Sequence, residues 1–183
     1  MLKITKIMIH HTGVSHKDNP DQFKATNEYH KAKYALKSST GMYGGYHAEI
    51  GAEGEIRSFR RAGEQSAACI GQNTGETFHI AIDGNFEIEK PTAAQIYKLR
   101  DTLRELAKGF KIDAENIFFH RDFWNTSCPG KYMDRVFVRS LVDPKVVERE
   151  ELKIKEGNSK EVIVRAIMEK HSEIDELLRQ LIK

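Results

Sequence analysis

Two cysteines in 183 residues are too few for a disulfide framework, so a buried core must hold this fold together. Of Cys69 and Cys128, a cysteine that stands beside histidines points toward metal binding or catalysis rather than cross-linking, and Cys69 is not assigned to a metal. Long apolar runs are missing as well. No segment approaches the roughly 20 residues that cross a bilayer, so no membrane insertion is expected. The opening Met1-Leu2-Lys3-Ile4-Thr5-Lys6 carries no signal-peptide core, which predicts synthesis in a cytoplasm without Sec-type export. An excess of one charge is also absent. Lys and Arg number 29 against 27 Asp and Glu, a net +2, and the two signs are interleaved along the chain. Nucleic-acid binders concentrate basic charge on one face, so no nucleic-acid partner is expected.

What is present fits a globular chain: 39% hydrophobic and 31% charged residues, enough for one ordinary domain and an appendage. Residues 4–10 form a near-continuous apolar run that ends in His10-His11-Thr12-Gly13, as in a strand covered on both faces. From Asp18 the spacing of Phe23, Thr26, His30, Tyr34 and Leu36 predicts a helix opened by Asn19-Pro20-Asp21. Residues 46–51 and 55–60 read as a hairpin turning at Ala52-Glu53-Gly54. A long polar loop, residues 62–75, precedes a strand at 78–84. Pro91-Thr92 opens a helix in which Ile96, Leu99, Leu103, Leu106 and Phe110 recur at helical spacing. A last strand, 117–120, and a short helix over 131–141 complete the domain. Strands that alternate with helices, one adjacent pair being a hairpin, predict an α/β fold with a mixed central sheet flanked by helices.

The expected organisation is a main domain at 1–142, a linker at 143–158 and an amphipathic helix at 159–183. Ile163, Ile167, Ile174, Leu177 and Leu181 give that helix its stripe. The stripe serves either packing on its own domain or association, and a homo-oligomer formed through it is one expectation.

Two histidines end apolar runs, His10 after the first strand and His120 after the last, and Cys128-Pro129-Gly130 follows His120 across a polar loop. Histidine and cysteine are good zinc ligands. If the two strands are parallel neighbours, both histidines project from one edge, where open α/β sheets place their sites.

With Ile9-His10-His11-Thr12, Gly44-Gly45-Tyr46-His47, the Gly54 turn and His120-Arg121-Asp122 before Cys128-Pro129-Gly130, residues 3–141 resemble a known family. It is that of the zinc-dependent N-acetylmuramoyl-L-alanine amidases of the phage-lysozyme and peptidoglycan-recognition-protein type. The resemblance implies a peptidoglycan-recognition-protein-like fold with Zn2+ held by His10, His120 and Cys128. His11 is the less favoured histidine of its pair. A fourth tetrahedral position is then left for water. The resemblance also assigns catalytic roles to Tyr46, through its phenol, and to Thr126, which stands where other members carry a lysine. The implied partner is bacterial peptidoglycan, cut between N-acetylmuramic acid and L-alanine. The implied setting is cell-wall lysis of the endolysin or autolysin kind, following phage-type release from the cytoplasm.

Departures from the family pattern lie in the long loop, which has Ala67-Ala68-Cys69, and in the strand with His79 and Ala81. His30, His47 and His79 read as structural or surface residues, and Arg121 with Asp122 as a local pair. Asn73, Thr74 and Thr77 read as a polar cleft wall. The alternatives are a non-catalytic peptidoglycan-binding receptor, and a thiol mechanism with Cys128 as nucleophile and His120 as base.

Overall fold

The computed structural model describes residues 3–19 and 22–146. The expected helix at 159–183 and most of the expected linker lie outside them. Residues 143–146, the described part of that linker, form a turn closed by Val146 N–H donating to Asp143 O at 3.0 Å, and Val146 is buried.

Five strands form one mixed sheet: β1 (Lys6–His11), β2 (Ala48–Ile50), β3 (Ile56–Ser58), β4 (Thr77–Ile82) and β5 (Ile117–Phe119). Their order is β3-β2-β4-β1-β5, and every neighbouring pair is parallel except the β2–β3 hairpin. The predicted α/β class and mixed sheet are thus present. The first and last strands are parallel neighbours, with Ile9 opposite Phe119. The carboxyl ends of β1 and β5 therefore share one edge of the sheet. Hydrogen-bonded pairs are shorter than the expected runs, because Gly54, at φ +81°, turns the hairpin through Gly54 N–H to Gly51 O at 3.0 Å.

Partners across parallel strands point to the same face, so the register sorts the side chains into two sets. Ile7, Ile9, Ile80, Ile82, Ile50, Ile117 and Phe119 share one buried cluster with Ile96, Leu99 and Leu103 of helix α2 (Ala93–Phe110). Burying each such side chain is worth about 1.5–3 kcal/mol, so this face supplies most of the driving force for folding. Helix α2 starts where the sequence predicts. Thr92 caps it by accepting from Gln95 N–H at 3.1 Å, while the Gln95 side chain accepts from Thr92 N–H at 3.0 Å.

The opposite face is polar. It carries Met8, His10, His79, Ala81 and Glu49, since Met8 lies opposite His79 and His10 opposite Ala81, which in turn pairs with Glu49.

Helix α1 (Gln22–Tyr34) is shorter than the predicted helix: residues 15–18 form a turn before it, and Ala35, at φ 52°, ends it. Helix α3 (Arg135–Ser140) also begins later than predicted. Asp134 caps it by accepting from Phe137 N–H at 2.9 Å, so residues 131–133 stay in turns.

Candidate metal centre

The first candidate ligand follows from strand parity. His10 and His11 are adjacent in β1 and therefore face opposite sides of the sheet. His11 turns to the apolar side, where its Nδ1 accepts from Phe86 N–H at 3.2 Å. His10 is fully buried on the polar side, with its ring 4.8 Å from that of His120 and 5.1 Å from that of Tyr46. His120 opens a single 3-10 turn (His120–Asp122) directly after β5, so the end of that strand delivers it to the same edge.

Cys128 arrives on a loop with several braces. Its carbonyl accepts from Arg121 N–H at 3.0 Å, and the Arg121 guanidinium donates to Gly130 O at 3.0 Å and Met133 O at 2.9 Å. A cis Cys128–Pro129 peptide lies within this loop. Arg121 and Asp122 do not serve as the expected local pair. Asp122 instead accepts from Phe119 N–H at 2.9 Å and pairs with Arg135. The Cys128 sulfur comes 3.9 Å from His10 Nδ1 and accepts from His11 N–H at 3.4 Å.

The ligand atoms of His10, His120 and Cys128 all lie within 4.8 Å of one another, the group among the described residues with the spacing to hold a metal. Tetrahedral zinc with these donors needs separations of about 3.3–3.6 Å. The set therefore fits zinc after a contraction of at most about 1.2–1.5 Å.

Electrostatics suit the same role. Burial, reinforced by the neighbouring histidines, holds the pKa of His10 well below its ordinary value, and burial also lowers that of His120. Both rings are neutral at pH 7, with lone pairs available to a metal. Burial pushes the Cys128 thiol up to about 12, against the opposing effects of the His11 amide and Arg121. A thiol so disfavoured as an anion is a poor free nucleophile, which counts against the thiol mechanism. A divalent cation is what would draw off its proton.

Tyr46 is positioned by two glycines. A Cβ at Gly44 would fall 2.1 Å from the Phe59 ring, and one at Gly45 would fall 2.5 Å from Ala67 O. This tight passage threads the chain between Phe59 and the long loop. Gly45 N–H donates to His30 Nδ1 at 2.9 Å, and the His30 ring packs edge-on to Tyr46 at 5.3 Å. Burial above all, with smaller contributions from neighbouring Cys128 and Glu49, raises the Tyr46 phenol above its ordinary value, so it is a proton-bearing donor throughout the physiological range. Tyr46 and His30 also line a cavity of about 360 Å³ with Thr12, Gln22, Thr26 and Tyr29. Thr126, half-buried in the ligand loop, accepts from Cys128 N–H at 3.2 Å, which leaves its own hydroxyl proton free to donate.

A family model for N-acetylmuramoyl-L-alanine amidase (Amidase_2) matches residues 1–131. The chain belongs to this amidase family. Its structure is similar to that of N-acetylmuramoyl-L-alanine amidase LysC from Clostridium intestinale URNW, with 27% identity and a TM-score of 0.62. That match covers 76% of this chain and 85% of that one. The Ph2119 endolysin of the Thermus scotoductus MAT2119 bacteriophage shares the fold at 18% identity and a TM-score of 0.57, over 76% of this chain and 85% of its own. Drosophila peptidoglycan recognition protein SD shares it at 20% identity and a TM-score of 0.61, over 73% and 78%. No curated protein sequence matches the chain. The resemblance to phage endolysin amidases thus extends from motifs to the whole fold.

Within this amidase fold the five predicted site residues fall in two groups. His10, His120, Cys128 and Tyr46 converge at one edge, and Thr126 sits on the loop that carries Cys128. Asn73 does not serve as a cleft wall. Its Oδ1 accepts from Ala68 N–H and Cys69 N–H, each at 2.8 Å, and so organises the long loop from within. His30, His47 and His79 are buried rather than on the surface. His79, whose Nδ1 lies 3.0 Å from His10 Nε2, is the contact that the motif reading passed over. The available signal was parity, because His79 lies two residues from the Ala81 that pairs with His10.

Proposed function

We propose that this protein hydrolyses the amide between the lactyl group of N-acetylmuramic acid and L-alanine in bacterial peptidoglycan, with zinc held by His10, His120 and Cys128. The observation that carries this reading is the convergence of those ligand atoms within 4.8 Å, beside Tyr46, at the sheet edge of an amidase-family fold. Zinc bound there would supply Lewis-acid polarisation of the scissile carbonyl and an activated water near neutral pH.

The chain's own groups supply the remainder. The neutral Tyr46 phenol donates a hydrogen bond to the carbonyl oxygen as it gains negative charge. Thr126 adds a hydroxyl donor without the positive charge a lysine would bring. The water oxygen ends on the lactyl carbonyl carbon, the C–N bond breaks, and the alanine nitrogen leaves with a proton as a free amine. The cavity beside Tyr46 accommodates part of the glycan or stem peptide. The protein thereby acts on the cell wall, as an endolysin does.

Purified protein incubated with peptidoglycan is expected to release new N-terminal alanine without new reducing ends, and EDTA is expected to stop it. Full activity after complete zinc removal overturns the metal mechanism. Binding of muropeptides without turnover at any zinc level assigns the protein to the receptor class instead.

A further inference from the structure

Resting on the zinc reading above, we propose that His79 is a positioning residue for the metal centre: it fixes the tautomer of His10 so that Nδ1 is free for the metal. The argument begins at a backbone carbonyl, which can only accept. His79 Nε2 lies 3.0 Å from Gln72 O, so that nitrogen carries the hydrogen. The other nitrogen of a neutral ring is then a bare acceptor. His79 Nδ1 lies 3.0 Å from His10 Nε2, which must in turn carry its own hydrogen. His10 Nδ1 is left with its lone pair, and it is the nitrogen 3.9 Å from the Cys128 sulfur. The carbonyl of Gln72 thus decides, two rings away, which nitrogen of His10 faces the metal.

The chain is held at both ends. Gln72 belongs to the long loop, and Lys6 Nζ donates to its side-chain oxygen at 3.1 Å. His79 is pinned in β4 by its own N–H, which donates to His47 Nδ1 at 3.0 Å. The His47 ring stacks on that of His79 at 5.8 Å and 10°, and its Nε2 reaches Glu64 O at 3.1 Å, which fixes the His47 tautomer in the same way. Two loop carbonyls, Gln72 and Glu64, therefore hold the supporting histidines from one side. Partners of this kind commonly change metal affinity by about 10–100-fold.

Nitrogen-15 NMR of the metal-free protein reads the ring tautomers directly, and both His10 and His79 are expected as Nε2–H forms. In His79→Leu, His10 should lose that preference, and zinc affinity by competition with a chromophoric chelator should fall about 10–100-fold. His79→Asn, whose Oδ1 replaces Nδ1 as acceptor, should keep affinity within a few-fold, with the melting temperature of each metal-free variant reporting on the fold. His10 found as the Nδ1–H form in the wild type overturns the inference. So does wild-type affinity in a folded His79→Leu protein, or equal losses in the Leu and Asn variants, which would assign His79 to packing. Should His79→Leu fail to fold, the wild-type tautomers and His79→Asn still decide. A wild type that binds no zinc overturns the proposed function together with this inference, whereas zinc bound equally by wild type and His79→Leu overturns the inference alone.

Discussion

Replacing Glu49 by Gln should stabilise the protein, and increasingly so as pH rises. Glu49 is fully buried on the polar face of the sheet, where its carboxyl meets that of Asp83 and the hydroxyl of Thr26. Asp83 is buried too, and Arg57 Nη2 stands 3.9 Å from its Oδ2. Burial, then the negative charge of Asp83, pushes the Glu49 pKa up, so the guanidinium beside Asp83 leaves Glu49 as the carboxyl that keeps its proton. An acid whose pKa is raised by folding holds its proton in the native state after the unfolded chain has released it. Stability therefore falls as pH climbs above the ordinary glutamate range of about 4.3, by up to about 1.4 kcal/mol per pH unit. From pH 5 to pH 7 that amounts to about 2–3 kcal/mol. Gln has nothing to ionise and escapes this slope. Denaturant unfolding of both proteins at pH 5, 6, 7 and 8 checks it. A stability difference that stays flat with pH, or a wild type that gains on the variant as pH rises, refutes the reasoning.

Three further outcomes follow from the same geometry. Cys128→Ser should reduce metal content from about one zinc per chain toward none and abolish peptidoglycan cleavage, as read by elemental analysis and alanine release. Tyr46→Phe removes one donor to the developing oxyanion, so kcat should fall about 100–1000-fold while zinc content holds. An unchanged kcat would restrict Tyr46 to a structural role. Phe59→Ala empties a fully buried site where the ring stacks on Phe23 at 4.1 Å and fills the space above Gly44, and it should cost about 3–5 kcal/mol by chemical denaturation.

The parts of the fold legible in the sequence were those governed by strong periodicity. The apolar run of β1 and the amphipathic stripe of α2 each have a single reading, and Thr92 with Gln95 marks the start of α2. Helix α1 was legible in existence but not in extent, because it packs through Gln22 and His30 rather than through an apolar stripe. That His10 and His120 meet at one sheet edge was legible because each follows an apolar run, and the two strands pair in parallel. The role of His79 was not. A histidine inside an apolar strand reads as filler until register places its ring against His10, and register is a property of pairing that one strand alone does not encode. Asn73 misled for a related reason: a polar loop residue looks solvent-directed until the loop closes on it.

The strand order has a consequence for how the protein matures. His10 lies in the first strand and Cys128 is 118 residues further on, joined only because β5 docks beside β1 at the end of the domain. A nascent chain that has completed β1, β2, β3 and β4 still holds a single member of the triad. Metal capture by the proposed ligand set would therefore wait for the last strand pairing, a contact between distant parts of the chain of the kind that forms slowly. Because the ion would bind the finished fold and not the open chain, it would also tighten that final closure by mass action. A chelator would then loosen the seam between the two ends of the domain as well as stopping the chemistry.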